Sequence, residues 1–198
     1  MSAHGTGVES RGLNVIAATP VLAPVIVVLG GLPGVGKSTV ARAVLAQWQA
    51  VYLRIDTIEQ ALRDAGAEVG TAGYRVAYAL ARTQLAQGLP VLVDCVNPLP
   101  VTREAWHSVA RGVSVPWLDV EVVCSDVAEH RRRVESRRSD IPGLTPPSWQ
   151  SVQQHDYQPW PASQTARWVA DTARMAPEQI AAEVLAALRQ RQLELSGE

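Results

Sequence analysis

Apolar residues in this chain repeat in two alternating ways. Val25 to Leu29 is apolar at every position, as a central parallel strand covered on both faces would be. Val40, Ala41, Val44, Leu45 and Trp48 then recur at helical spacing within Lys37 to Trp48. Val51 to Ile55 predicts a second strand. Asp56, with Glu59 three residues on, has capping-box spacing and predicts a helix start with Asp56 as its N-cap. Helices are expected over Ile58 to Ala65 and Tyr74 to Gln87, separated by a turn region from Gly66 to Gly73. Gly88-Leu89-Pro90 stops the second of these, and Val91-Leu92-Val93 returns to the sheet, ending at Asp94. A rigid loop, Asn97 to Pro100, precedes a helix near Thr102 to Arg111, and Leu118 to Cys124 predicts a fourth strand. Asp126 to Arg138 predicts a strongly charged helix, Ser139 to Pro147 a loop, and Ser148 to Tyr157 a short helix ended by Pro159 and Pro161. Arg167 to Ala170 is the last strand, ending at Asp171-Thr172, and Pro177 to Leu193 closes the chain as an amphipathic helix with proline in its first turn.

Strands alternating with helices imply an α/β domain with a parallel sheet, whose ligands gather at the carboxyl ends of its strands. Residues 1–22, rich in Gly, Ala, Ser and Thr without a sustained period, are expected to be a flexible tail before one domain over 23–195. The length of 198 residues fits that single domain, and 47% hydrophobic with 19% charged residues is ordinary for a soluble protein. A net charge of −1 offers no global attraction to nucleic acid or to anionic lipid. Cys95 and Cys124 each sit near the end of an apolar run, which suits buried free thiols in a reducing compartment. His4, His107, His130 and His155 lack metal-ligand spacing, so no zinc site is expected. The opening residues lack a basic segment before their weak apolar stretch, and Val21 to Leu29 contains Pro24 and is too short to span a bilayer. The expected protein is therefore cytoplasmic, a monomer or homodimer without a membrane partner.

One motif stands above this background. Gly31 to Ser38 spells G-x-x-x-x-G-K-S between the first predicted strand and the first predicted helix, a match that average residue usage produces in roughly one 200-residue chain per hundred. Its glycines let the backbone turn N–H groups onto phosphate oxygens, and the following helix adds positive dipole character. Gly31, Leu32, Pro33, Gly34, Val35, Gly36, Lys37, Ser38 and Thr39 form the expected cradle. Lys37 would reach the β- and γ-phosphates, and the Ser38 hydroxyl would sit on Mg²⁺. Lys37 is the only lysine in the chain. A compact ammonium fits between crowded phosphates where a planar guanidinium would not. The competing reading is a glycine-rich turn that binds nothing.

The order GLPGVGKST, a strand ending RIDT, a strand ending VLVDCVNP, the arginine helix EHRRRVESRR and a final VADT resembles small P-loop kinases over about residues 24–190. The likeness is greatest to the group labelled AAA family ATPase or predicted kinase, related to chloramphenicol phosphotransferase, adenylylsulfate kinase and zeta toxin. The resemblance implies a three-layer fold, with a five-stranded parallel sheet in order 2-3-1-4-5 and helices on both faces. It implies ATP with Mg²⁺ as donor and a hydroxyl on a small molecule as acceptor. Under it, Asp94 holds Mg²⁺ through water, since a hard cation takes carboxylate oxygen, although a strand-end cap is the plainer use. Cys95 stands where many ATP-hydrolysing motors carry a glutamate, a departure that favours transfer over hydrolysis. Asp56 becomes the base that meets the acceptor hydroxyl, a role compatible with capping its helix.

Arg133 and Arg137, four apart on the charged helix, become candidates to neutralise the γ-phosphate, in a lid spanning about residues 126–147. Arg131 and Arg138 lie on neighbouring faces. The pairs Glu129–Arg133 and Arg131–Glu135 fit a solvated face equally well. Asp171 and Thr172, with Arg174, fall where related kinases contact adenine, or form a plain turn. Tyr74, Asn97, Trp149, Tyr157 and Trp160 are candidates for acceptor binding or for simple packing. Two rival functions remain: a nucleotide-dependent switch or ATPase without an acceptor, and a 5′-hydroxyl kinase for nucleic acid, which the near-neutral charge disfavours.

Overall fold

The computed structural model describes residues 24–161 and 167–196, with side chains to Arg191; the tail expected over 1–22 lies outside them. The element order is β1 (Ile26–Gly30), α1 (Lys37–Leu45), β2 (Val51–Arg54), α2 (Ile55–Asp64), α3 (Ala72–Ala86), β3 (Val91–Asp94), α4 (Pro100–Gly112), β4 (Trp117–Val123), α5 (Val127–Ser136), α6 (Trp149–Gln153), β5 (Arg167–Asp171) and α7 (Pro177–Ser196). All neighbouring strands pair in parallel, in the order β2-β3-β1-β4-β5, as the resemblance implied.

The all-apolar β1 sits at the centre because both of its faces are covered. Its alternate residues enter two separate cores. Val25, Val27 and Leu29 pack with Val40 and Val44 of α1 and Ile180, Val184 and Leu188 of α7, while Ile26 and Val28 pack with Ala77 and Ala81 of α3 and Trp106 of α4. The period of two thus sorts one strand between two helical layers. On β4, Val120 and Val122 face the α1/α7 layer, which leaves Asp119 and Glu121 on the other side of the strand. Each acid has a partner there: His107 Nε2 lies 2.7 Å from Asp119, and Arg167 Nε lies 3.1 Å from Glu121. Cys95 and Cys124 are buried and free. Among the described residues no helix is long and apolar enough to cross a membrane.

Two boundaries differ from expectation, and both matter for the site. The helix after β2 begins at Ile55, with Arg54 as its N-cap and no side-chain cap bond, so Asp56 lies inside the first turn instead of capping it. Ile55 turns inward to join the core beneath α3, which draws the helix start back toward the strand. At the other boundary, α5 ends at Ser136, and Arg137 is already extended at φ −65° and ψ 130°. Arg133 and Arg137 therefore do not share a helix face. The chain leaves the helix there because Asp140, three residues on, is tied to Arg54 across the domain.

Candidate active site

The segment between β1 and α1 rests on the carboxyl ends of two neighbouring strands. Gly31 donates its backbone N–H to the Val96 carbonyl at 2.9 Å, and a Cβ at this position would meet the Val122 carbonyl oxygen at 2.2 Å. Only glycine fits so close an approach. Gly36, at φ 104°, is the N-cap of α1 and supplies no capping side chain, which leaves first-turn N–H groups facing the cleft for an anion. Lys37 Nζ donates to the Leu32 carbonyl at 2.9 Å, so the ammonium is already curled inside the loop. Burial pushes its pKa down, and the carboxylates of Asp94 and Asp56 work against that shift.

Asp94 ends β3 directly opposite this loop, buried. One carboxylate oxygen accepts from the Ser38 hydroxyl at 2.6 Å and from the Tyr52 hydroxyl at 2.8 Å, with Arg54 Nε at 3.9 Å. Burial first, and the Asp94 charge second, hold the Tyr52 hydroxyl protonated far above its ordinary range. A hydroxyl and a carboxylate meeting at the mouth of a phosphate loop form an all-oxygen donor set, which fits Mg²⁺ and not a soft metal. Cys95, next in sequence, is buried, and desolvation is the main cause that pushes its thiol pKa up.

Lys37, Ser38 and Asp94 line a cleft of about 570 Å³ together with Asp56, Arg54, Asp140, Arg133, Arg137 and Thr172. Asp56 reaches it from the first turn of α2. Arg54 donates through both terminal nitrogens to Asp140, at 2.8 and 3.0 Å, and Arg42 lies 3.7 Å from the same carboxylate. That pairing pulls the Asp140 carboxyl below the ordinary range.

The opposite wall is α5. Its N-cap Asp126 accepts from the Glu129 N–H at 3.0 Å, and both expected pairs form: Glu129–Arg133 at 2.7 Å and Arg131–Glu135 at 2.8 Å. Arg133 is nevertheless more than a surface partner. It also donates to the Thr172 hydroxyl at 2.8 Å and to the Thr172 carbonyl at 3.2 Å. The Thr172 hydroxyl in turn lies 2.7 Å from the Val35 carbonyl of the phosphate loop, so one threonine joins the loop, α5 and the end of β5. Asp171 uses its carboxylate within its own turn, accepting from Ser125 and Ala173 and facing Arg174 at 3.3 Å; it does not line the cleft. Arg137 lines the cleft and makes no hydrogen bond or ion pair among the described residues. His130, buried on α5, donates from Nε2 to the Pro33 carbonyl at 2.8 Å, with Trp149 edge-on behind it at 5.1 Å.

The five expected acceptor-side residues do not line this cleft. Tyr74 accepts from the Asn97 N–H at 3.0 Å, Trp160 donates to the Tyr157 hydroxyl at 2.7 Å, and Arg103 stacks 4.2 Å from the Trp160 ring centroid. Trp149 serves α5 as described. Sequence reasoning passed over Tyr52, Arg54, His130 and Asp140. The first two carried a signal: polar residues two apart at the end of a buried strand point to one face together.

A family model described as AAA domain matches residues 26–145. No curated protein matches the chain. Solved structures share its fold. A gluconokinase from Sinorhizobium meliloti 1021 superposes with a TM-score of 0.61 at 21% identity, over 87% of this chain and 96% of that one. The Mycobacterium tuberculosis APS kinase CysC, solved with AMPPNP and APS, gives 0.60 at 21% identity, over 84% and 98%. Kti12 of Chaetomium thermophilum, solved with ADP-AlF3, gives 0.57 at 22% identity, over 82% and 98%.

Proposed function

The chain belongs to the AAA domain family, and from that premise we propose that it is an ATP- and Mg²⁺-dependent phosphotransferase acting on a hydroxyl of a small-molecule acceptor. The observation that carries this reading is the 2.6 Å contact between Ser38 and Asp94 in the same cleft as Lys37 and Asp56. The kinase names of the structural neighbours favour it.

In this reading the loop amides between Gly31 and Thr39, whose own N–H groups are given to the Val96 and Gly36 carbonyls, bind the polyphosphate, and Lys37 places its positive charge among the terminal phosphate oxygens. Ser38 and Asp94 would hold Mg²⁺, which when bound neutralises charge on the phosphates. Asp56 orients the acceptor hydroxyl and takes its proton as that oxygen bonds to the γ-phosphorus, while the bond from that phosphorus to the β,γ-bridging oxygen breaks and ADP keeps the electron pair. Arg133, fixed by Glu129 and Thr172, and Arg137, without a hydrogen-bond or ion-pair partner among the described residues, offset the charge of the transferring group. Thr172 is the nucleotide-side residue of its turn. Cys95 puts no second carboxylate after Asp94 at the strand end, which favours transfer over hydrolysis.

Isothermal titration with MgATP, followed by phosphate-transfer assays over a set of hydroxyl compounds, tests this. Lys37→Ala should lose nucleotide turnover. Asp56→Asn should keep the ATP affinity and lower transfer by about 10²–10⁴-fold. Full transfer by the Asp56 variant removes that residue from the mechanism, and a wild-type protein that ignores ATP at every Mg²⁺ concentration sinks the proposal. ATP hydrolysis indifferent to every acceptor would favour a nucleotide switch instead.

A further inference from the structure

Arg54 is an unusual residue to find at the end of β2. Its side chain is only 8% exposed, yet it lines the cleft two residues before Asp56. A guanidinium so placed needs an anion, because a buried charge left alone is costly. The nearest fixed carboxylate, Asp94, stands 3.9 Å from Nε and is already engaged by Ser38 and Tyr52. Arg54 therefore directs both terminal nitrogens at Asp140 in a two-point fork, the geometry by which arginine holds a carboxylate or a phosphate.

Host and guest are unequal. Asp140 is 52% exposed on the irregular segment after α5, and its other cation, Arg42, is 63% exposed and 3.7 Å away. Asp140 can leave for water at little cost, whereas Arg54 cannot. The cleft is also rich in cations: among the described residues six arginines and Lys37 line it against three aspartates, with Glu129 paired to Arg132 and Arg133 behind the wall. A triphosphate with its magnesium cancels about two of those charges, so room remains for a further anion beside Asp56.

Resting on the phosphotransferase reading above, we propose that Arg54 is the receptor for an acidic group of the acceptor, a carboxylate or a phosphate, and that Asp140 occupies the fork until the acceptor displaces it. The acceptor is then a hydroxylated acid, bound by its anionic end at Arg54 with a hydroxyl toward Asp56. Neutral alcohols lack the group that can displace Asp140, so the fork selects against them.

The test uses the full chain saturated with Mg-AMPPNP. Inorganic phosphate, glycolate and its neutral twin ethylene glycol are titrated in turn, while the Nε–H resonance of Arg54 is followed by NMR. Phosphate or glycolate should move that resonance, and ethylene glycol should not. A response to phosphate alone assigns a phosphorylated acceptor, and a response to glycolate a carboxylic acid. Asp140→Asn removes the internal competitor and should tighten anion binding about tenfold. Adding Arg54→Met to that variant should abolish it. Equal anion affinity in the wild type and the Asp140 variant, or anion binding that survives loss of Arg54, overturns the inference. The single Asp140 substitution on an exposed segment decides the matter even if the double variant folds poorly. Failure to bind Mg-AMPPNP at the outset strikes the phosphotransferase reading itself, whereas normal AMPPNP binding with no anion effect overturns this inference alone.

Discussion

Thr172→Val isolates the joint between the phosphate loop and α5. Valine keeps the volume and branching of threonine, including the methyl position 3.2 Å from where a Gly36 Cβ would stand, so no cavity opens. Only the hydroxyl is lost. It lies 2.7 Å from the Val35 carbonyl and 3.1 Å from the Val123 carbonyl, and can donate to one at a time. It also accepts from Arg133 at 2.8 Å. The neutral bond contributes about 1 kcal/mol and a charge-assisted one about 1.5–3. Arg133 is 29% exposed and keeps Glu129, so water and that carboxylate recover part of the second term, leaving about 1 kcal/mol. The variant should thus lose about 2 kcal/mol, or about 4–8 °C in Tm for a domain of this size. Thermal unfolding followed by circular dichroism measures it. A double-mutant cycle with Arg133→Met should return a coupling of about 1 kcal/mol. A Tm within about 1 °C of wild type together with zero coupling would refute the claim that Thr172 fastens α5 to the loop.

Other expectations follow from single contacts. Tyr52→Phe removes the hydroxyl that donates to Asp94, so the Mg²⁺ concentration for half-maximal turnover should rise about 10-fold with little change in fold; an unchanged Mg²⁺ dependence would show that Asp94 needs no such support. Gly31→Ala would press a methyl to 2.2 Å from the Val122 carbonyl at φ 151°, and the protein should lose ATP binding or fail to fold; a stable variant with wild-type affinity would contradict the packing described. Hydrogen bonds from Arg132 and then Arg133 pull the Glu129 carboxyl from its ordinary 4.5 down to about 2. A carboxylate with a depressed folded pKa stabilises above its unfolded value and loses that contribution as pH falls through the folded one, so the α5 clamp should hold at pH 4.5 and fail only toward pH 2. NMR titration of the Glu129 carboxyl tests this, and a midpoint near 4.5 would mean that the arginines do not hold it.

The loop from Gly31 to Ser38 and the central strand were legible from the chain because their causes are local. A glycine-lysine-serine spacing describes a backbone turn wherever it occurs, and a run of apolar residues marks a buried strand without reference to its neighbours. Asp94 and Ser38 were equally visible as the ends of such elements. Asp56 and Arg137 were found as residues but misplaced in their elements, because a helix boundary depends on what the next side chain can pack against. Ile55 is drawn inward, and Asp140 is held by a strand from the far side of the sheet.

From the amino-acid order alone came the phosphate loop, the alternation of strands with helices, and the residue types able to meet a phosphate, a hard cation and a hydroxyl. Only the tertiary structure decided who meets whom: Arg54 with Asp140 across 86 positions of chain, Thr172 with Val35 across 137, and Tyr52 with Asp94 once β3 lies between β1 and β2. Turn chemistry and hydrophobic period act over a few residues and are written where they act. The pairing of distant charges depends on strand order and register, which exist only after the sheet has formed.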